Sequence, residues 1–167
     1  MKSLIIYFSR ADENYFGGSL NYIEKGNTEI VAEYLQDLTG ADMFKVEPLV
    51  PYAKDYNTCI NEAKERVHNA PIKNTLSNIN NYDTIYILSP IYWGTYAPEI
   101  ETAIKDLNFN GKKIVPISTH EGSGLGNILS DLRNICSGAI LTEGLAIRGS
   151  ESYNSKNILQ EFISRIN

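Results

Sequence analysis

The strongest constraint on how this chain can fold is an alternation that runs its whole length. Short β-branched or aromatic runs are separated by longer stretches of helical periodicity. Parallel strands need long crossover connections, and helices supply them, so the alternation predicts an α/β fold built on a parallel sheet. The strand runs are Ser3 to Phe8, Met43 to Val46, Thr84 to Leu88, Lys113 to Ser118 and a less regular one from Ala139 to Ile147. Thr84-Ile85-Tyr86-Ile87-Leu88 and Ile114-Val115-Pro116-Ile117 are almost continuously apolar. Strands covered on both faces read this way, so these two are predicted to be central. The second run carries Lys45 and Glu47 before Pro48, which suits an edge. Amphipathic stretches at Thr28 to Leu38, Asp55 to Asn69, Pro98 to Leu107, Leu125 to Ile135 and Ser155 to Ile166 predict five helices. With 167 residues and no repeat or low-complexity linker, residues 1–167 are expected to form a single domain.

The charge balance narrows the function. Asp and Glu number 20 against 15 Lys and Arg, a formal net charge of -5, and no basic stripe is present to neutralise a phosphate backbone. Nucleic acid is therefore not an expected partner. No run approaches the roughly 18 to 20 apolar residues that span a bilayer, so no membrane is expected either. The opening Met1-Lys2-Ser3 is followed by an apolar run too short for a signal sequence, and the chain is expected to act in the cytoplasm. Cys59 and Cys136 stand far apart, outside any CxxC or Cys/His cluster, and are read as free thiols.

In an open doubly wound sheet, ligands bind beyond the carboxyl ends of the strands, where the strand order reverses. Three loops at such ends have unusual composition. The first, Ser9 to Asn27, is rich in Gly, Asn and Tyr and far longer than an ordinary βα turn; it reads as a loop, either functional or a surface insertion. It ends in Gly26-Asn27-Thr28, where Asn27 and Thr28 suit a helix N-cap and the first-turn amides suit a phosphate. The second, Ser89-Pro90-Ile91-Tyr92-Trp93-Gly94-Thr95-Tyr96-Ala97-Pro98, holds the one Trp between two prolines and can wall a flat ring. The third is Thr119-His120-Glu121-Gly122-Ser123-Gly124-Leu125-Gly126-Asn127, whose alternate glycines let backbone amides approach a ligand. No Gly-Lys-Ser/Thr of a nucleotide-hydrolysing P-loop and no Gly-x-Ser-x-Gly nucleophile elbow occurs. Ser9 stands where a thiol phosphatase would place its cysteine, and Ser89-Pro90 where a receiver domain would place its aspartate. A phosphorylated ligand with a planar ring is the reading left.

These three motifs resemble the flavodoxin family over nearly the whole chain, the third most specifically. The resemblance implies a doubly wound five-stranded parallel sheet of order 2-1-3-4-5 and non-covalent FMN. By the same likeness, Ser9, Arg10, Asn27 and Thr28 hold the FMN phosphate. Pro90, Ile91, Tyr92, Trp93 and Gly94 line the isoalloxazine, with Trp93 or Tyr92 stacked on it, and Thr119, His120, Gly122, Ser123, Gly124 and Gly126 close the other side. The departure from the family pattern is Ala11 to Lys25, inserted where the family has only a few residues. The leading expectation is an electron carrier between redox partner proteins, a reductase and an acceptor. Its rivals are an FMN-dependent NAD(P)H:quinone-type oxidoreductase and a binding or regulatory protein of the same fold without tight cofactor.

Overall fold

The computed structural model describes residues 2–167. Along the chain run β1 (Ser3–Tyr7), β2 (Asp12–Phe16), β3 (Ser19–Ile23), α1 (Asn27–Thr39), β4 (Asp42–Lys45), α2 (Tyr56–Glu65), β5 (Thr84–Tyr92), β6 (Thr95–Tyr96), α3 (Pro98–Ile104), β7 (Lys113–His120), α4 (Ile128–Ile135), β8 (Ile140–Leu141), β9 (Leu145–Arg148) and α5 (Lys156–Ile166). The main sheet has the order β4-β1-β5-β7-β8, all parallel, with β9 also pairing to β7. Counted as five parallel positions this is the order 2-1-3-4-5. The fifth position is split in two at Thr142-Glu143-Gly144, where a side chain on Gly144 would collide with Leu125.

The pleat of β1 divides the core. Leu4, Ile6 and Phe8 face one cluster with Cys59 and Ala63 of α2, Ile100 and Ile104 of α3 and Leu132 of α4. Ile5 and Tyr7 face the other, with Val31 and Leu35 of α1 and Leu159 and Phe162 of α5. Each such aliphatic or aromatic side chain contributes about 1.5 to 3 kcal/mol by leaving water. Burial on both faces therefore holds the central strands rigid, and their carboxyl ends make a firm base for a site.

Two expectations about local structure are corrected. The stretch from Ser9 to Asn27 is not an irregular loop: β2 and β3 form an antiparallel hairpin, with Phe16 opposite Ser19. Its two-residue turn is Gly17-Gly18, at φ 67° and 91°, a conformation that glycine adopts without strain. The third strand does not stop at Leu88 but runs on to Tyr92, with Pro90 opposite Thr119. Leu88 offers its carbonyl to the Phe8 amide on the β1 side, so Pro90, two residues on, turns its missing N–H toward the side where β1 has already ended. No ladder bond is lost there. The strand then folds back through Trp93 and Gly94, at φ 51° and 86°, into β6. Cys59 and Cys136 are both free and buried. Among the described residues no helix is long and apolar enough to cross a membrane.

Candidate functional site

The carboxyl ends of β1, β5 and β7 open into a cavity of about 600 Å³. One end is formed by the first turn of α1. Gly26, not Asn27 or Thr28, is the N-cap, with extended backbone, and a side chain at position 26 would collide with Ser9 and the Arg10 carbonyl. Asn27 and Thr28 are the first two helical residues, and by position their amides have no intrahelical acceptor. The third amide, of Glu29, donates to Ser9 Oγ at 3.0 Å, so this hydroxyl serves the helix end. Thr28 is buried, and its hydroxyl meets Thr119 Oγ1 at 2.7 Å, tying α1 to β7.

Of the residues expected from sequence, Arg10, Asn27, Pro90, Ile91, Tyr92, Trp93, Thr119, His120, Gly122 and Ser123 line the cavity. Ser9, Thr28, Gly94, Gly124 and Gly126 lie outside that lining. Gly94 and Gly126 lock the two ring-side loops together instead. The Gly94 carbonyl accepts from the Asn127 amide at 2.7 Å, and a side chain on Gly126, at φ 50°, would strike that carbonyl. Gly124 gives its carbonyl to the Ser118 hydroxyl at 2.7 Å. The Arg10 guanidinium is engaged by carbonyls of Glu13 at 2.6 Å and of Ala53 and Lys54 at 2.8 Å, and so clamps the hairpin base to the segment before α2. Trp93 leans toward α2: its indole N–H donates to the Ile60 carbonyl at 2.8 Å, and Lys64 lies 5.1 Å from the ring centre. Tyr92 packs edge-on against Phe8 and Tyr52 at 5.6 and 5.9 Å.

A third wall lies outside what the sequence motifs indicate: Asn14, Tyr15 and Gly18 of the hairpin, and Tyr56, Cys59, Ile60 and Ala63 of α2. The Glu13 carboxylate accepts the Tyr56 amide at 3.0 Å, and the rings of Tyr15 and Tyr56 meet edge-on at 5.0 Å, which seats the hairpin on α2. The Gly17-Gly18 dipeptide between two extended runs is the available signal for the hairpin. For α2 there is none, since periodicity reports which face is apolar and not what that face meets.

The electrostatics are those of neutral rings with one carboxylate, Glu121, and one guanidinium, Arg10, in the lining. Burial, then the Arg148 charge, pushes His120 below its ordinary value, and its Nδ1 accepts the Gly122 amide at 2.9 Å. Burial holds the Tyr92 phenol protonated and raises the Cys59 thiol, so neither is anionic at neutral pH. Asn27 Oδ1 and both carboxylate oxygens of Glu121 are buried without a hydrogen-bond partner. Gly149 brings these two side chains together, since a Cβ on it would collide with the Asn27 amide group and approach Glu121 Oε1 to 2.9 Å. Buried acceptors call for donors. A ligand with hydroxyls would satisfy them, and an anion would take the two free α1 amides. The residues present thus fit a phosphorylated polyol that carries a flat ring, which is the make-up of FMN.

Comparison with known proteins agrees with this geometry. A flavodoxin family model matches residues 19–166. No curated protein matches. Among solved structures, a candidate flavoprotein from Bacteroides eggerthii is 25% identical over 99% of this chain and 97% of its own, with a TM-score of 0.74. A flavoprotein from Lactobacillus acidophilus, solved in complex with FMN, is 21% identical over 90% of this chain and 95% of its own, with a TM-score of 0.58. A flavodoxin from Streptococcus pneumoniae is 18% identical over 99% of this chain and 97% of its own, with a TM-score of 0.54. The last two likenesses concern the fold. The family match, in contrast, extends from β3 through α5 and takes in both loops that face each other across the cavity, and on that ground the chain belongs to the flavodoxin family.

Proposed function

We propose that this chain binds FMN without a covalent bond and carries electrons between a reductase and an acceptor protein in the cytoplasm. The observation that carries this reading is the distribution of unsatisfied groups around one cavity. Free first-turn amides stand at one end, orphaned acceptors on Asn27 and Glu121 lie beside them, and the loops of Pro90 to Trp93 and Thr119 to Ser123 form the walls. The FMN-bound neighbour from Lactobacillus acidophilus supports the same choice of ligand. Bound FMN supplies one- and two-electron redox chemistry that no side chain provides.

The chain's own residues have simpler roles. The amides of Asn27 and Thr28 hold the phosphate at the positive end of α1. Asn27 Oδ1 and the Glu121 carboxylate accept from the polyol hydroxyls. The paired loops, locked through Gly94 and Gly126, keep water from the ring, and neither His120 nor Tyr92 needs to exchange a proton. The excess of acidic residues favours basic partners and makes association weaken with salt. A visible spectrum of the purified protein, before and after FMN is added, tests cofactor binding. Steady-state assays with NADH and NADPH, with and without a quinone, test the carrier role: negligible oxidation without a reductase is expected. Turnover of about 1 to 1000 per second would instead promote the second reading, an FMN-dependent NAD(P)H:quinone-type oxidoreductase. The wall formed by the hairpin and α2 favours that alternative.

A further inference from the structure

The main sheet and the hairpin treat their outer edges differently. At one edge of the main sheet β4 carries Asp42 and Lys45, and at the other β8 has only two residues and β9 ends in Arg148. Charges and short strands keep an edge from pairing with another chain. β3 has neither. Ser19-Leu20-Asn21-Tyr22-Ile23 holds no charge and no proline, and Leu20 and Tyr22 are 41% and 65% exposed. Its backbone is free as well. The Glu13 amide donates to the Lys54 carbonyl at 3.2 Å, away from β3. Glu13 and Tyr22 therefore form a cross-strand pair without mutual hydrogen bonds, and so do Tyr15 and Leu20 two residues along. On β3 the amides and carbonyls of Leu20 and Tyr22 consequently point out of the hairpin, and among the described residues no backbone group of another element meets them.

We propose that β3 pairs with β3 of a second copy of this chain, antiparallel about a two-fold axis at Asn21. The register selects this occupant. A two-fold at Asn21 sets Leu20 against Tyr22 of the partner subunit and Tyr22 against Leu20 of the partner subunit, so every outward amide faces an outward carbonyl. Moving the axis to Leu20 or to Tyr22 would waste a residue, setting it opposite Gly18 of the turn or Glu24 beyond the strand. The chosen axis also places Glu24 against Gly18 of the partner subunit, so no like charges meet across the seam despite the net charge of -5. Leu20 and Tyr22 of both copies then join on the face that holds Tyr15, whose ring meets Tyr56 of α2. Tyr15 lines the cavity, so the dimer carries its two cavities on one continuous sheet. The seam is short, and the dimer is accordingly weak and concentration-dependent. The inference does not depend on the cofactor reading.

Sedimentation equilibrium of the full chain, with and without FMN, from about 0.01 mM to about 1 mM covers the range of a weak dimer. The average mass should climb from one chain toward two in both forms, and hydrogen exchange followed by NMR should show the Leu20 and Tyr22 amides gaining protection over the same range. Tyr22→Pro removes an outward donor that the hairpin itself does not use, and Tyr22→Lys puts a charge on the edge. Because the axis doubles every change, each should weaken the dimer about tenfold or more. Val50→Lys, at an exposed position outside the hairpin, should leave it unchanged. Circular dichroism confirms that each variant is folded, and the exchange measurement needs no variant. The mass of one chain up to about 1 mM would overturn the proposal and leave the edge to a strand of another protein. A dimer that persists unweakened in both Tyr22 variants, or forms without protecting the Leu20 and Tyr22 amides, would overturn it too.

Discussion

Replacing Tyr52 by phenylalanine removes one hydroxyl and tests how the aromatic floor beneath the cavity is held. The Tyr52 hydroxyl donates to the Glu99 carboxylate, at 2.9 and 3.0 Å from its two oxygens, and Glu99 is fully buried. The other partner of the carboxylate is Arg66, 3.6 Å away, whose guanidinium also stacks 3.9 Å over the Tyr52 ring. A hydrogen bond to a charged group is worth about 1.5 to 3 kcal/mol. For a domain of this size that corresponds to a fall in Tm of about 3 to 12 °C. The pH dependence has a definite sign. Burial raises the Glu99 carboxyl above its ordinary value, with Tyr52 and Arg66 pulling it back down. A raised folded pKa means that the stability from protonated Glu99 is fully present below the unfolded pKa and is lost as pH rises through the folded one. Without the Tyr52 donor the folded value rises further. The destabilisation by Tyr52→Phe is therefore greater at about pH 8 than at about pH 4, because the lost hydrogen bond favours the ionised carboxyl over the protonated one. Thermal unfolding followed by circular dichroism at both pH values measures it. An equal loss at the two pH values, or a loss below about 0.5 kcal/mol at the higher one, would refute this reasoning.

The other perturbations separate structural from ligand-binding roles. Ser9→Ala deprives the Glu29 amide of its acceptor and should lower stability by about 0.5 to 2 kcal/mol in urea titrations of the ligand-free protein; no change would mean the hydroxyl serves only a ligand. Gly126→Ala forces a side chain into the Gly94 carbonyl at a left-handed φ, and should cost about 1 to 3 kcal/mol in thermal melts and reduce FMN uptake. Reduction by a reductase partner should slow as salt is raised from about 0.01 M to about 1 M, across which the Debye length falls roughly tenfold; a salt-independent rate would mean that the acidic surface does not steer the partner.

Legibility in the sequence differs from element to element. β5 and β7 are legible because strands buried on both faces must be apolar at nearly every position, as Ile85 to Leu88 and Ile114 to Ile117 are. The hairpin disappears when Asn, Gly and Tyr are weighed only as composition. The informative unit is the dipeptide Gly17-Gly18 between two extended runs, which marks a two-residue turn. Pro90 reads locally as a strand breaker, and its tolerance depends on β1 ending before that register, a tertiary fact no local pattern contains. The three loops that meet at the crevice are visible as sequence motifs. The division of labour among their glycines is not, since Gly94 and Gly126 contact each other across separate loops. Likewise the sequence marks Ser9 and Arg10 as candidate ligand-binding residues, but no local pattern shows that the Ser9 hydroxyl also accepts from the Glu29 amide or that the Arg10 guanidinium also clamps the hairpin.

The first turn of α1 is assigned here to the terminal phosphate of a flavin lying between the two locked loops. Parallel fluorescence titrations of the ligand-free protein with FMN and riboflavin test that assignment most directly, because the two ligands differ only in the phosphate. The helix end alone contributes roughly 0.3 to 2 kcal/mol, and the bonds to the Asn27 and Thr28 amides add to it. The expected result is one FMN per chain, held at least about tenfold more tightly than riboflavin. Equal affinity for the two, or no uptake of either, would contradict it.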